Sequence, residues 1–425
     1  SDVNTSINET DRFIGDLKTD IRNVKEILPS EDIPVYEFLS GGDVACAVIY
    51  ADGMVNKQLI GDLAARPLSF LKDKALTSDA VKKTVLFPEI KMCETYADAA
   101  REILDGNPLL IADGVKDGII IGAKLVPARA VAEPPTSVTV KGPREGFIED
   151  IKTNMALVRK RLKTGNLRFE YVHTGKQSDT SIALCYLDKI ADPSVLGMLK
   201  KRLNEIDTDV IADSSYIAAF LAPRRYSLFK ESGTTEKPDV FAAKIAEGRI
   251  GILVDGSPIA LTVPYTLSED FQSGEDYFIS PFAATIFRLL RFFAAAIALL
   301  LPAFYVSSQL FKIQLIPLNL TLTIAGSIRG LPLSPSLEMF LVLLVLEILK
   351  EASIRMPKYV GLALSVVGAL VLGDAAVSAG FVSTPAIIIV AFSGICLYTV
   401  PDFVETGSVL RWLFLIAAGS VGPFG

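Results

Sequence analysis

From Phe292 to Phe311 the chain runs for twenty residues without a charged side chain. At ~1.5 Å per helical residue such a run spans the ~30 Å hydrocarbon layer of a bilayer, and this constrains the fold more than any other feature. The composition changes at the same place. Of 42 basic and 48 acidic residues, only 8 and 6 follow Pro281, so a charge-poor segment of net charge +2 follows a normally charged one of −8. The expected architecture is an α+β soluble region of two related subdomains followed by an all-α polytopic transmembrane bundle. An acidic soluble region argues against a nucleic-acid partner, because phosphate binding needs clustered positive charge.

Spans are expected at about 289–309, 337–355, 359–380 and 384–401, with an incomplete fifth at 409–425. Between the first two, residues 311–335 are broken by Pro317, Pro332 and Pro335 and dotted with Asn319, Thr321, Thr323 and Ser327. This reads as a short, bent or re-entrant element, since irregular backbone at membrane depth survives only inside protein or beside water. The second span carries Glu338, Glu347, Lys350 and Glu351. Each charge near a bilayer centre costs roughly 2.5–3.5 kcal/mol, so this helix needs shielding, and Lys350 is within one turn of Glu347. Tyr359 to Pro401 contains a single charge, Asp374, and is too long for one straight crossing, so a turn is expected near Gly380–Pro385. Gly361, Ser365, Gly368, Ala369 and Gly373 would let the third span approach a neighbour closely. Placing Arg288 and Arg291 inside also places Lys350, Arg355, Lys358 and Arg411 inside and leaves Lys312 and Arg329 outside, as the positive-inside tendency requires.

The amino terminus, SDVNTSINETDRF, lacks a basic start followed by an apolar core, so a cytoplasmic soluble region is expected. The chain stops inside an apolar run, which suggests trimming at one or both ends. Cys46, Cys93, Cys185 and Cys396 stand far apart, and His173 is the only histidine; the pattern suggests buried thiols and no metal, cofactor or His-based catalysis. No Walker-type loop or G-x-S-x-G is present, so an enzyme is not expected.

Residues 1–35 hold an amphipathic helix, with Ile14, Leu17, Ile21, Val24 and Leu28 on one face and Pro29 as its end. Two subdomains, 36–130 and 167–280, follow from internal repetition. Ile103–Gly114 matches Ile245–Gly256 without a gap, each with a Gly, an apolar strand and an Asp-Gly hairpin turn, followed by a second strand ending at Pro127 or Pro264. Val48–Leu63 resembles Leu184–Leu199, a strand entering a helix, with Asp192 and Pro193 as cap and first turn. Between them, 131–166 is a linking segment whose helix, from about Phe147 to Lys163, buries Phe147, Ile151, Met155, Val158 and Leu162. Its basic end, Arg159 to Lys163, suits lipid headgroups, a neighbouring subunit or solvent alike.

Several stretches carry a family resemblance: EPPTSVTVKGPREGFIEDIKTNMALVRKRLKT, TEKPDVFAAKIAEGRIGILVDGSPIALTVP, FQSGEDYF, PAFYVSSQLFKIQLIP and LEILKEASIRMPKYVGLALSVVGALVLGDAAVSAGFVSTP. Together they resemble the spore germinant receptor A-subunit family, the GerA-type spore germination proteins, over most of residues 36–405. Lys237 stands where that family usually has Arg, and Asp374 where Gln is common. The resemblance implies a protein of the spore inner membrane that acts in nutrient sensing with a transporter-like B subunit and a lipoprotein C subunit. It also implies a homo-oligomer around an ion-conducting pore. Candidate pore-lining residues are Glu347, Ser365, Gly368, Leu372 and Asp374; candidate subunit-interface residues are Arg144, Glu145, Phe147, Asn154, Arg159 and Arg161. A non-conducting scaffold is the alternative. A secondary transporter is a weaker one, because the repetition lies outside the apolar helices.

Overall fold

The computed structural model describes residues 11–125, 143–222, 227–355, 360, 366–368 and 371–425, except the side chains of residues 315, 354, 371 and 372. The chain divides into two compact units, one ending at Tyr265 and the other comprising Thr266–Gly425 together with Leu228–Lys230.

The first unit begins with α1 (Leu17–Ile27) and the strands β1 (Val35–Leu39), β2 (Ala45–Ile49) and β3 (Ile90–Cys93). It continues through α2 (Tyr96–Leu104), β4 (Leu109–Ala112) and β5 (Gly118–Ile121). After the linking segment come α3 (Ile151–Arg161), β6 (Leu167–Thr174), β7 (Thr180–Leu187), α4 (Pro193–Asn204) and α5 (Ser214–Leu221). The unit closes with β8 (Gly233–Thr235), α6 (Pro238–Ala246), β9 (Ile250–Val254) and β10 (Ala260–Val263). The strands form two antiparallel sheets of identical topology, β1-β2-β4-β5-β3 and β6-β7-β9-β10-β8. In both, the inner strands are largely buried, β4, β5 and β9 along their whole length, because helices cover the two faces. This explains why β4 and β9 read as unbroken apolar runs rather than alternating ones.

The repeat extends further than the strand–turn units show. Phe13-Ile14-x-Asp16-Leu17-Lys18-Thr19-Asp20 recurs as Phe147-Ile148-x-Asp150-Ile151-Lys152-Thr153-Asn154, so α1 and α3 are the same element of two copies. Asp16 caps α1 by accepting from Thr19 N, and Asp150 caps α3 by accepting from Thr153 N. The turn aspartates do the same work in both copies. Asp113 accepts from Leu17 N and Asp255 from Ile151 N, each at 3.3 Å. Gly114 and Gly256, at φ 81° and 82°, donate their N–H groups to Gly15 O and Glu149 O. Positive φ at these turns is why glycine follows the aspartate. Phe13 lies against Tyr96, and Phe147 against Phe241, at ring separations of 4.6 and 5.5 Å.

Helix limits differ from expectation for the same reason. The Asp150 cap starts α3 at Ile151 rather than Phe147, and α1 starts at Leu17, leaving Ile14 outside the helix and 56% exposed. Helix α1 packs into the core of the first sheet with Ala47, Ile49 and Ile103. Helix α3 is buried nearly all round: Ala156 joins that first core, whereas Met155, Leu157 and Val158 join the second. The expected second strand toward Pro127 ends at Ile121, and residues 126–142 lie outside the described residues.

The second unit opens with two capped turns, Leu267–Phe271 and Gly274–Tyr277, then α7 (Pro281–Phe311). It continues with α8 (Leu318–Ile328), α9 (Pro335–Arg355), α10 (Thr384–Tyr398) and α11 (Val404–Val421). Helix α7, with 31 residues, and the Pro401–Phe424 segment, with 24, are long and apolar enough to cross a membrane. The last segment therefore starts before the expected residue 409, and its Arg411 is buried rather than marking a helix end. Helix α8 has 11 residues and lies in the chain between α7 and α9, and the turn before α10 is closed by Ser383 accepting from Ala386 N. Of the third expected span, residues 359, 361–365, 369 and 370 lie outside the described residues.

Candidate functional site

Charges carried by apolar helices are stable where other groups or water meet them, and in the helical unit a charge network does this. Glu347 of α9 accepts from Arg411 Nη2 of α11 at 2.6 Å and pairs with Lys350 one turn along its own helix. Lys350 Nζ also donates to Ser408 Oγ at 3.0 Å, and Arg411 Nη1 to Ser393 Oγ of α10 at 3.2 Å. Ser393 Oγ in turn donates to Ala298 O of α7 at 2.8 Å. One carboxylate and two cations thus tie four helices together, with Arg411 only 2% exposed. Glu338, fully buried, accepts from Ser383 N at the start of α10, where the helix dipole favours a negative partner. At the base of α7, Arg288 Nε and Arg291 Nη1 each lie 3.0 Å from Asp276 Oδ2. Burial alone would raise the Asp276 carboxyl, but these two guanidiniums hold it below the usual carboxylate range.

The five candidate pore-lining residues are not in one environment. Glu347 faces the interior of its own bundle, and a Cβ on Gly368 would stand 2.9 Å from Leu349 Cδ1, so Gly368 is a packing position against α9. Asp374 is exposed. Ser365 and the Leu372 side chain lie outside the described residues.

The six candidate interface residues are mostly engaged within the chain. Arg159, 1% exposed, donates Nε and Nη2 to Asp32 at 2.6 and 2.8 Å and stacks over Phe169. Asn154 Oδ1 accepts from Ile148 N at 2.9 Å, and Phe147 is buried against Phe241. The Arg161 and Lys160 side chains converge on Glu145 at 2.8 and 2.9 Å. The Lys160 ammonium, opposed by burial and joined by Arg161, holds the Glu145 carboxyl below its ordinary range. Arg144 is exposed. The basic helix end is therefore largely neutralised at home, which charge order along the sequence does not reveal.

A polar cleft between the two sheets is lined by Glu31, Asp52, Asp150, Lys152, His173 and Asp255, but its carboxylates already accept from the chain's own donors. Among the described residues no group of three or more His, Cys, Asp or Glu is arranged to hold a metal ion. All four cysteines are free and buried.

These features can be set beside known proteins. The chain is 35% identical over 414 residues to the uncharacterized membrane protein YfkQ of Bacillus subtilis (strain 168), covering 96% of this chain and 81% of that one. It is 36% identical over 410 residues to spore germination protein KA of the same organism, covering 94% and 75%. Against spore germination protein GerLA of Bacillus cereus the identity is 33% over 420 residues, covering 97% and 85%. A solved structure, of the N-terminal domain of the A subunit of the Bacillus megaterium spore germinant receptor GerK3, matches with a TM-score of 0.45 and 26% identity over 60% of this chain and 98% of that one. The sequence model of the Bacillus/Clostridium GerA spore germination proteins matches residues 20–425. The chain belongs to that family.

Proposed function

We propose that this chain is the A subunit of a nutrient germinant receptor in the spore inner membrane. In this reading it oligomerises into a germinant-gated channel for monovalent cations and acts without catalysing a reaction. Its soluble unit faces the cytoplasm, and its partners are further copies of itself, a transporter-like B subunit and a lipoprotein C subunit. Family membership supports the receptor role. The observation that carries the channel is Asp374, an exposed carboxylate in an apolar segment, which has no ion-pair partner among the described residues. Such a group is tolerated in a membrane where water or another subunit meets it. Exposed Arg144 is the first choice for subunit contact, while Glu145, Phe147, Asn154, Arg159 and Arg161 fix the shape of the segment behind it.

The test is reconstitution of the full chain with its partner subunits in vesicles holding a potassium gradient. Germinant-dependent cation flux that Asp374→Asn alters supports the channel. Absence of flux in every oligomeric state, including the germinant-saturated complex, refutes it. The scaffold reading has its own support, since Glu347 and Gly368 serve helix packing within one chain; it gains if Asp374→Asn leaves flux untouched while changes at Arg144 abolish assembly.

A further inference from the structure

Where α7 ends, α8 and the start of α9 leave a cleft of about 340 Å³, lined by apolar side chains that include Ile313, Ile316, Ile324 and Ile328. Its volume falls at the lower end of the ~300–1,000 Å³ range of ligand clefts. The cleft has two polar features. Gln309, on its wall, has both amide atoms buried, and its side chain meets that of Tyr305. Arg329, also on its wall, and Lys312, next in the chain to Ile313, are exposed and have no ion-pair partner among the described residues. By contrast, Arg288, Arg291, Lys350 and Arg411 in the same unit are all paired. Two exposed cations beside an apolar cleft suit an anion with an apolar body.

Their depth indicates which one. Along α7 the cations at Arg291 and Lys312 stand ~32 Å apart at the helical rise, close to the ~30 Å thickness of the hydrocarbon layer. If Arg291 lies at one headgroup layer, Lys312 and the mouth of the cleft lie at the other. We infer that this cleft binds an acidic phospholipid, its phosphate between Lys312 and Arg329, its ester oxygens within reach of the Gln309 amide, and one acyl chain along the isoleucines. The inference rests on the membrane-spanning reading of α7.

The experiment is native mass spectrometry of the full chain in detergent, titrated separately with phosphatidylglycerol and phosphatidylcholine. Each lost cation should lower acidic-lipid affinity about fivefold, so Lys312→Gln with Arg329→Gln should lower it about 25-fold and erase the preference for phosphatidylglycerol. Ala325→Trp, which fills the cleft from an exposed position, should abolish retention of bound lipid. Equal binding of the two lipids, or retention unchanged in either variant, overturns the proposal. Displacement of phosphatidylglycerol by inorganic phosphate alone reassigns the site to a free anion, and disulfide-linked dimers of Ala325→Cys reassign the cleft to a second copy; both overturn it. A chain that stays monodisperse without detergent refutes instead the membrane reading on which the inference stands.

Discussion

Replacing Arg159 with Met should open the first unit locally and by a large margin. The guanidinium is 1% exposed and its partner Asp32 2% exposed, with two hydrogen bonds between them at 2.6 and 2.8 Å. Arg159 Nη2 also donates to Leu167 O at 3.3 Å, and Ser30 Oγ donates to Asp32 at 2.5 Å while accepting from Phe169 N at 2.9 Å. Methionine keeps much of the side-chain volume but leaves Asp32 buried beside hydroxyl and carbonyl oxygens, with its paired guanidinium gone and only the half-buried Lys25 ammonium nearby. Breaking one half of a buried pair costs about 3–5 kcal/mol, whereas exchanging both halves for apolar groups is often close to neutral. Hydrogen exchange on the full chain in detergent measures this. The amides of α3 and β6 should exchange between about a hundredfold and a few thousandfold faster in Arg159→Met. Arg159→Met combined with Asp32→Leu should recover most of that loss, to within about 2 kcal/mol of the parent. A single-variant cost below about 1 kcal/mol, or a double variant whose loss equals the sum of the singles, would show that the pair is not the coupled unit described here.

Asp52 joins Lys57 of the first copy to Lys152 of α3 at 2.6 and 3.1 Å. Burial would raise its carboxyl, but hydrogen bonds from the two lysines hold it below the ordinary range. A depressed folded-state value means that the contribution to stability is present above the unfolded carboxylate value of ~3.9 and is lost as pH falls through the folded one, so α3 protection should fall in acid and Asp52→Asn should flatten that dependence. Burial raises the thiols of Cys46 to about 11 and Cys93 to about 12, and raises Cys185 further. Native protein at neutral pH should resist iodoacetamide at these three sites, and rapid labelling would contradict the packing. Arg411→Met should strand Glu347 beside Lys350 alone and lower the melting temperature in detergent more than Arg355→Met, whose guanidinium is exposed; equal shifts would argue against the four-helix network. Gly251→Ala would set a methyl 2.1 Å from Phe241 Cζ, and overpacking of this kind costs about 1–3 kcal/mol, readable as faster exchange in β9.

Much of the fold follows from neighbours in the chain. The positive φ of Gly114 and Gly256 sets hairpin turns, Asp192 caps α4, and the charge-poor run from Phe292 forms a helix, each through the local chain, although the turn aspartates also bond to α1 and α3. The second copy of Phe-Ile-x-Asp-x-Lys-Thr is equally local, yet a comparison by strand–turn units passes over it because it lies ahead of the first strand in each repeat. Charge pairing is another matter. Arg159 meets Asp32 across 127 residues, and Arg411 meets Glu347 across 64. Sequence position shows that such charges are expensive in an apolar setting, but any carboxylate is a formal match for any cation. Only the packing of α3 between two sheets, and of α11 against α9, determines which pairs come within 3 Å and lose their water. For the same reason Glu347 and Asp374, alike as acidic residues in apolar stretches, end in opposite environments, one inside the bundle and one on its surface. The hydrophobic pattern alone determined that helices and sheets would form here; tertiary contact decided which polar side chains were left to meet something else.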